Sequence, residues 1–216
     1  VKVYYSVLLE RYLPDIAVNA LLDVAAYAGV YGAIRIETPY SRTDQKRQVI
    51  CEKFMEVSNG ADDVLVMLDN DHVHPKDIIG RLVRFPPEFG VVAALAYLRG
   101  KPYNPIFYTR INGNLHIAES FERVGLIKTT IAAPCAVAIR RWVLQKLRDA
   151  GEKSWWKYIY DDPQRPWWGE DMYFGELCEK YGIAHYVDLE TVVPHLTHRQ
   201  IGPEDWEREK EKDNEQ

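Results

Sequence analysis

The stretch Val64–His72, VLVMLDNDH, opens with five apolar residues and turns abruptly polar at Asp69. An apolar run without alternation marks a strand covered on both faces, as in the middle of a parallel sheet. Working outward, the residues from about Asp44 to Ser58 carry a helical pattern, with Ser41, Thr43 and Asp44 as N-cap candidates and Asn59-Gly60 beyond the end. Further back, Val3 to Leu9 reads as a buried strand, Asp15 to Ala28 as a helix, and Val30 to Ile36 as a second strand. On the other side, Pro75 to Arg84 reads as a helix and Val91 to Leu98 as a strand. This alternation predicts an α/β fold, a mostly parallel central sheet flanked by helices with right-handed crossovers. Ligands of such sheets bind beyond the carboxyl ends of the strands, where Asp69 and Asp71 fall.

The second half changes character. Ile106 to Ile111 and Leu115 to Ser120 flank Asn112-Gly113, which predicts a small antiparallel hairpin with a tight turn. Strands are expected from Gly125 to Ile131 and from Cys135 to Ile139, then a helix from Arg141 to Ala150. Gly169-Glu170-Asp171 opens another helix to about Lys180, and Ala184 to Leu189 forms a last strand before Val192-Val193-Pro194-His195. No repeat or linker divides the chain, so residues 1–200 read as one catalytic domain and 201–216 as a charged tail, a solvated or frayed helix end.

The 216 residues suffice for a domain that needs no disulfide or metal staple. With 47% apolar and 27% charged residues, wholesale disorder is excluded. The net charge is −5, and seven acids against three bases after Pro203 account for four of those charges. The nearly neutral remainder argues against broad nucleic-acid binding. No apolar run approaches the ~20 residues of a transmembrane helix, and no secretory signal is evident. Three scattered cysteines form no disulfide framework, so a reducing cytoplasm is the expected location.

Several constellations carry chemistry. Asp69 and Asp71 at a strand end can face one small volume, and such oxygen ligands suit Mg²⁺ or Mn²⁺. Held there, a hard cation serves a diphosphate-bearing substrate; the same residues also suit a simple capping turn. Glu170 and Asp171 at a helix start either complement the helix dipole or supply a general base. His195 and His198 could add an imidazole ligand or be ordinary histidines. His72 and His74, in a loop, need no function. Arg35, Arg42 and Arg47 could hold phosphates or lie solvated on the surface. Trp155, Trp156, Trp167 and Trp168, with Tyr158 and Tyr160 between them, form either a sugar-stacking lid or a satellite hydrophobic cluster.

Together these segments resemble the GT-A glycosyltransferases, in particular the compact, single-domain, family-2-like type. The resemblance rests on Ser41-Arg42-Thr43 with Arg47, on VLVMLDNDHVHP, on VGLIKTTIAAPCAVAIRRWVLQKL, and on GEDMYFGELCEKYGIAHYVDLETVVPHLTH. It spans Val3 to about His198. It implies a nucleotide-diphosphate sugar donor, a glycan, lipid or other hydroxyl acceptor, and Mn²⁺ or Mg²⁺ as cofactor. Asp71 would be the principal metal ligand, with Asp69 at the ribose or metal and His195, or else His198, completing the site. Arg47, with Arg42, would lie near the nucleotide. Asp171 would be the base of an inverting reaction, with Glu170 assisting, and Trp167 and Trp168 would face the acceptor. The chain departs from the family at Ala132-Ala133-Pro134-Cys135, where a Gly-rich segment is common.

Three other readings compete. A nucleotidyltransferase of similar fold would carry a Gly-rich phosphate loop, but Val7 to Asp15 contains no glycine. A dinuclear hydrolase of the β-lactamase type needs H-x-H-x-D-H, the reverse of the order here. A non-catalytic carbohydrate-binding module would need the aromatic loop but neither aspartate.

Overall fold

The computed structural model describes residues 1–8, 15–38, 41–118, 121–160, 168–197 and 200–214. Its centre is a seven-stranded sheet of β1 (Val3–Leu8), β2 (Ile34–Arg35), β3 (Val64–Asp69), β4 (Val91–Leu95), β7 (Leu126–Thr129), β9 (Ala136–Arg140) and β10 (His185–Val192), in the order β2-β1-β3-β9-β4-β10-β7. β1 pairs in parallel with β2 and β3, and β4 with β10. β9 runs antiparallel between β3 and β4, and β7 antiparallel to β10. Five strands therefore point one way and two the other, the mostly parallel sheet that the sequence predicts.

Period-two alternation sorts the core into two layers. Leu65 and Met67 of β3, with Val91, Ala93 and Leu95 of β4, face a layer built on Ile50, Phe54, Val143 and Leu144. These come from α2 (Thr43–Val57) and α4 (Arg141–Asp149). Val64, Val66 and Leu68, with Val92 and Ala94, face the other layer. That layer is filled by α1 (Asp15–Ala28) and α3 (Ile78–Val83). Both faces of β3 are buried, which is why its sequence shows no polar alternation.

A second sheet joins β5 (Phe107–Ile111), β6 (Asn114–Ile117) and β8 (Ile131–Ala132), all antiparallel. Its hairpin turns at Asn112 and Gly113, both with positive φ (50° and 85°), as the Asn-Gly pair predicts. The strand expected over 125–131 is divided. β7 stays in the main sheet, and β8 crosses to the small one, with the Thr130 N–H bonded to the Tyr108 carbonyl at the crossing.

Other expected elements are trimmed. Residues 30–36 hold a 3₁₀ turn (Gly29–Tyr31) and only the two-residue β2, because Gly32 takes a left-handed φ of 59°. The helix expected from Pro75 begins at Ile78. α5 (Glu170–Lys180) starts at the expected carboxylates and lies close over β8, where Gly175 leaves no room for a side chain against Ile131. The charged segment after 201 forms α6 (Pro203–Asn214), with Glu204, Glu207, Arg208 and Glu211 exposed and Trp206 turned inward. That indole is buried, stacks on Phe121 and lies against Tyr97, because one apolar ring suffices to dock an otherwise charged helix. Among the described residues no helix is long and apolar enough to cross a membrane.

Candidate functional site

Two distant segments meet at the carboxyl end of β3. Within β10 the pairing with β4 shifts register between Asp188 and Val192, and Pro194 and His195 follow the end of the strand. The Val73 N–H bonds to the Pro194 carbonyl at 2.9 Å, and the Leu196 N–H bonds to the Asp71 carbonyl at 2.8 Å. This backbone clamp sets His195, at the start of β11 (His195–Leu196), directly against the loop that carries Asp71.

Asp71, His72 and His195 each bring a ligand atom within 4.8 Å of the others. His195 Nε2 lies 3.5 Å from Asp71 Oδ2. His195 Nδ1 is 2.9 Å from the Tyr97 carbonyl, to which it donates, so Nε2 carries the lone pair. His72 stacks on His195 with centroids 4.0 Å apart, and its Nδ1 is 2.7 Å from Asp71 Oδ1. Burial pushes His72 and His74 down to about 4, so both are neutral at pH 7. A carboxylate oxygen and an imidazole nitrogen at this separation form a donor pair of the kind that suits Mn²⁺ or Mg²⁺.

Asp69 has different partners. Its two oxygens accept from Arg47 Nη2 at 2.8 and 2.9 Å. Arg47 also donates to the Pro134 carbonyl and, at 3.4 Å, to Glu170. Burial opposes a charge on Arg47, but Asp69 and Glu170 outweigh it and keep the guanidinium protonated. The residue thus ties α2, β3 and α5 together from inside, with its side chain only 1% exposed. Arg42, by contrast, is exposed and pairs with Asp44, and Arg35 is exposed, so the three arginines do not form one cluster. Helical spacing carries the signal for this difference: Arg47 lies three, four and seven residues before Ile50, Cys51 and Phe54, on the buried stripe of α2.

A cleft of about 420 Å³ is lined by Arg47, Asp69, Tyr108, Cys135, Trp168 and Asp171 among others; Asp71 and His195 are not part of its lining. Asp171 Oδ1 accepts from the Met172 N–H at 2.8 Å. Burial and the neighbouring Glu170 raise its carboxyl above the ordinary range, against the lowering expected of a helix start. A Cβ on Gly169 would sit 2.5 Å from Asp171 Oδ1, so the glycine makes room for this carboxylate. Glu170 turns inward to Arg47 and Tyr158.

The aromatic segment divides. Trp155 and Trp156 belong to the core, where Trp156 stacks on Phe174 at 4.1 Å and reaches Cys51 Sγ with its N–H. Trp168 lines the cleft. Trp167 and His198 lie outside the described residues. All three cysteines are free and buried. Sequence reasoning missed His72, whose burial no local pattern announces, and Arg99, which follows β4 in an irregular segment.

No protein-family model matches the chain, and no curated protein matches it. Among solved structures the chain is similar to a point mutant of Drosophila β1,4-galactosyltransferase 7 in complex with manganese, UDP-Gal and xylobiose. Identity is 10% and the TM-score 0.46, over 91% of this chain and 71% of that one. It is also similar to 4-diphosphocytidyl-2C-methyl-D-erythritol synthase from Anaerococcus prevotii, at 8% identity and a TM-score of 0.42 over 99% of each chain. Likenesses this distant leave the chemistry to the residues themselves.

Proposed function

We propose that the protein is a metal-dependent glycosyltransferase that moves a sugar from a nucleotide-diphosphate donor to a hydroxyl acceptor with inversion. The observation that carries this reading is the backbone clamp that sets His195 beside Asp71, just past a strand whose last residue, Asp69, lines a cleft together with Asp171. Asp71 and His195 would hold Mn²⁺ or Mg²⁺. When bound, the ion would neutralise diphosphate oxygens and stabilise charge growing on the leaving group.

The chain's own groups supply the rest. Asp171, raised by burial, takes the proton of the acceptor hydroxyl as that oxygen attacks the anomeric carbon. Gly169 keeps space for it, and Glu170, held by Arg47, fixes the start of α5 beneath it. Asp69 is paired with Arg47, and with His72 and Cys135 it also forms a group of ligand atoms within 4.8 Å of one another, so it would stand at the ribose or share the ion. Arg42 remains a contact for donor phosphates at the carboxyl edge of the sheet, and Trp168 forms a wall for the acceptor.

Calorimetry with UDP and GDP tests the reading. Binding should require Mn²⁺ and disappear in Asp71→Ala. Asp171→Asn should keep donor binding and lose about 10²-fold or more of transfer. Metal-independent nucleotide binding, or native affinity in Asp71→Ala, counts against the assignment. Glycan binding without nucleotide or metal supports a carbohydrate-binding module instead.

A further inference from the structure

We propose that Arg99 and a divalent cation are mutually exclusive occupants of the space between Asp71 and His195. The proposal rests on the reading of those two side chains as metal ligands. The Arg99 guanidinium donates through Nη2 to Asp71 Oδ2 and through Nε to His195 Nε2 at 2.6 Å. These are the same two atoms, 3.5 Å apart, that a metal would need.

His195 Nε2 cannot serve both cations. His195 Nδ1 is committed to the Tyr97 carbonyl, so Nε2 has one lone pair, and that pair faces Arg99. Asp71 Oδ1 is engaged by His72, which leaves Oδ2 as the oxygen turned to the guanidinium. A divalent ion placed beside a guanidinium at this range is also repelled by it.

Arg99 is built to leave, and Arg47 is not. The Arg99 side chain is 53% exposed, whereas that of Arg47 is 1% exposed and bonded on three sides. Arg99 can swing into solvent without opening the core. In the metal-free protein it neutralises Asp71, holds His195 in the ligand tautomer, and lowers the apparent affinity for the ion it resembles in charge.

The test titrates Mn²⁺ alone into the full chain and follows the free ion by electron paramagnetic resonance. Arg99→Ala should bind Mn²⁺ about tenfold more tightly than the native protein, the loss of two charge-assisted hydrogen bonds to a competitor. Asp71→Asn should lose binding. A thermal melt checks that Arg99→Ala is folded, and Arg99→Gln takes its place if it is not. Unchanged or weaker Mn²⁺ affinity in the Arg99 variant, with binding still lost in Asp71→Asn, overturns the exclusion and leaves the metal-ligand reading standing. Native affinity in Asp71→Asn overturns the metal-ligand reading, and the exclusion with it. Absence of saturable Mn²⁺ binding in both the native chain and the Arg99 variant overturns both.

Discussion

Asp69 and Asp71 stand one residue apart and lead opposite lives. Asp69 ends β3 inside the sheet's own ladder, and its carboxylate is gripped by a guanidinium that solvent does not reach. Asp71 lies past the strand, is 35% exposed, and shares its charge among two histidines and a half-exposed arginine. The lesson is that an acidic pair at a strand end need not act as a pair. The member still inside the strand is held by a buried arginine, and the member just outside keeps contact with solvent.

Removing the inner cation should break the comparison most violently. Arg47→Met leaves Asp69 and Glu170 buried without a counter-charge and should cost about 3–5 kcal/mol of stability by chemical denaturation. A loss below about 1 kcal/mol would mean that the inner carboxylate is no strut at all. Acid comes next. His72, His74 and His185 are buried neutral with values near 4, below the ordinary 6.5. Their contribution is complete above pH 6.5 and is lost as the pH falls from 6.5 through 4, by up to roughly 3 kcal/mol each. His185 lies on β10 away from the aspartates, so His185→Phe should remove only its own share of the acid sensitivity. If stability stays level between pH 7 and 4, these histidines are not neutral and buried.

A smaller effect is expected at the cleft. Gly169→Ala would drive a Cβ into Asp171 Oδ1, and displacing that group by about 1 Å should slow transfer on the order of 10²-fold. Native rates in this variant would free Asp171 from its role. The smallest change is reserved for the outer carboxylate. Asp71→Asn should cost less stability than Arg47→Met, because the Asp71 and Arg99 side chains are 35% and 53% exposed and water screens their pairing. A loss comparable with that of Arg47→Met would erase the distinction between the two aspartates.

Much of this is legible in local sequence. The unbroken run from Val64 to Leu68 announces a strand with two buried faces, and Asn112-Gly113 announces its hairpin, since both signals are local. Asp71 and Asp171 are candidates because a strand end and a helix start carry them, and His195 stands with His198 after the last strand, favoured only by the family resemblance. Their partners could not be named in the same way. Arg47 resembles Arg42 in sequence until its position on the buried stripe of α2 is counted, and His72 resembles a loop histidine until it is found stacked on His195.

Residue order alone determined the layers, the strand that ends in aspartate and the helix that begins with a carboxylate pair, because hydrophobic periodicity and capping act over a few residues. Only the tertiary structure decided which arginine holds each aspartate, which histidines face Asp71, and where Arg99 rests. Those outcomes depend on contacts between groups as far apart as Asp71 and His195, and on how much water each charge keeps. Neither separation nor solvation is written in a local pattern.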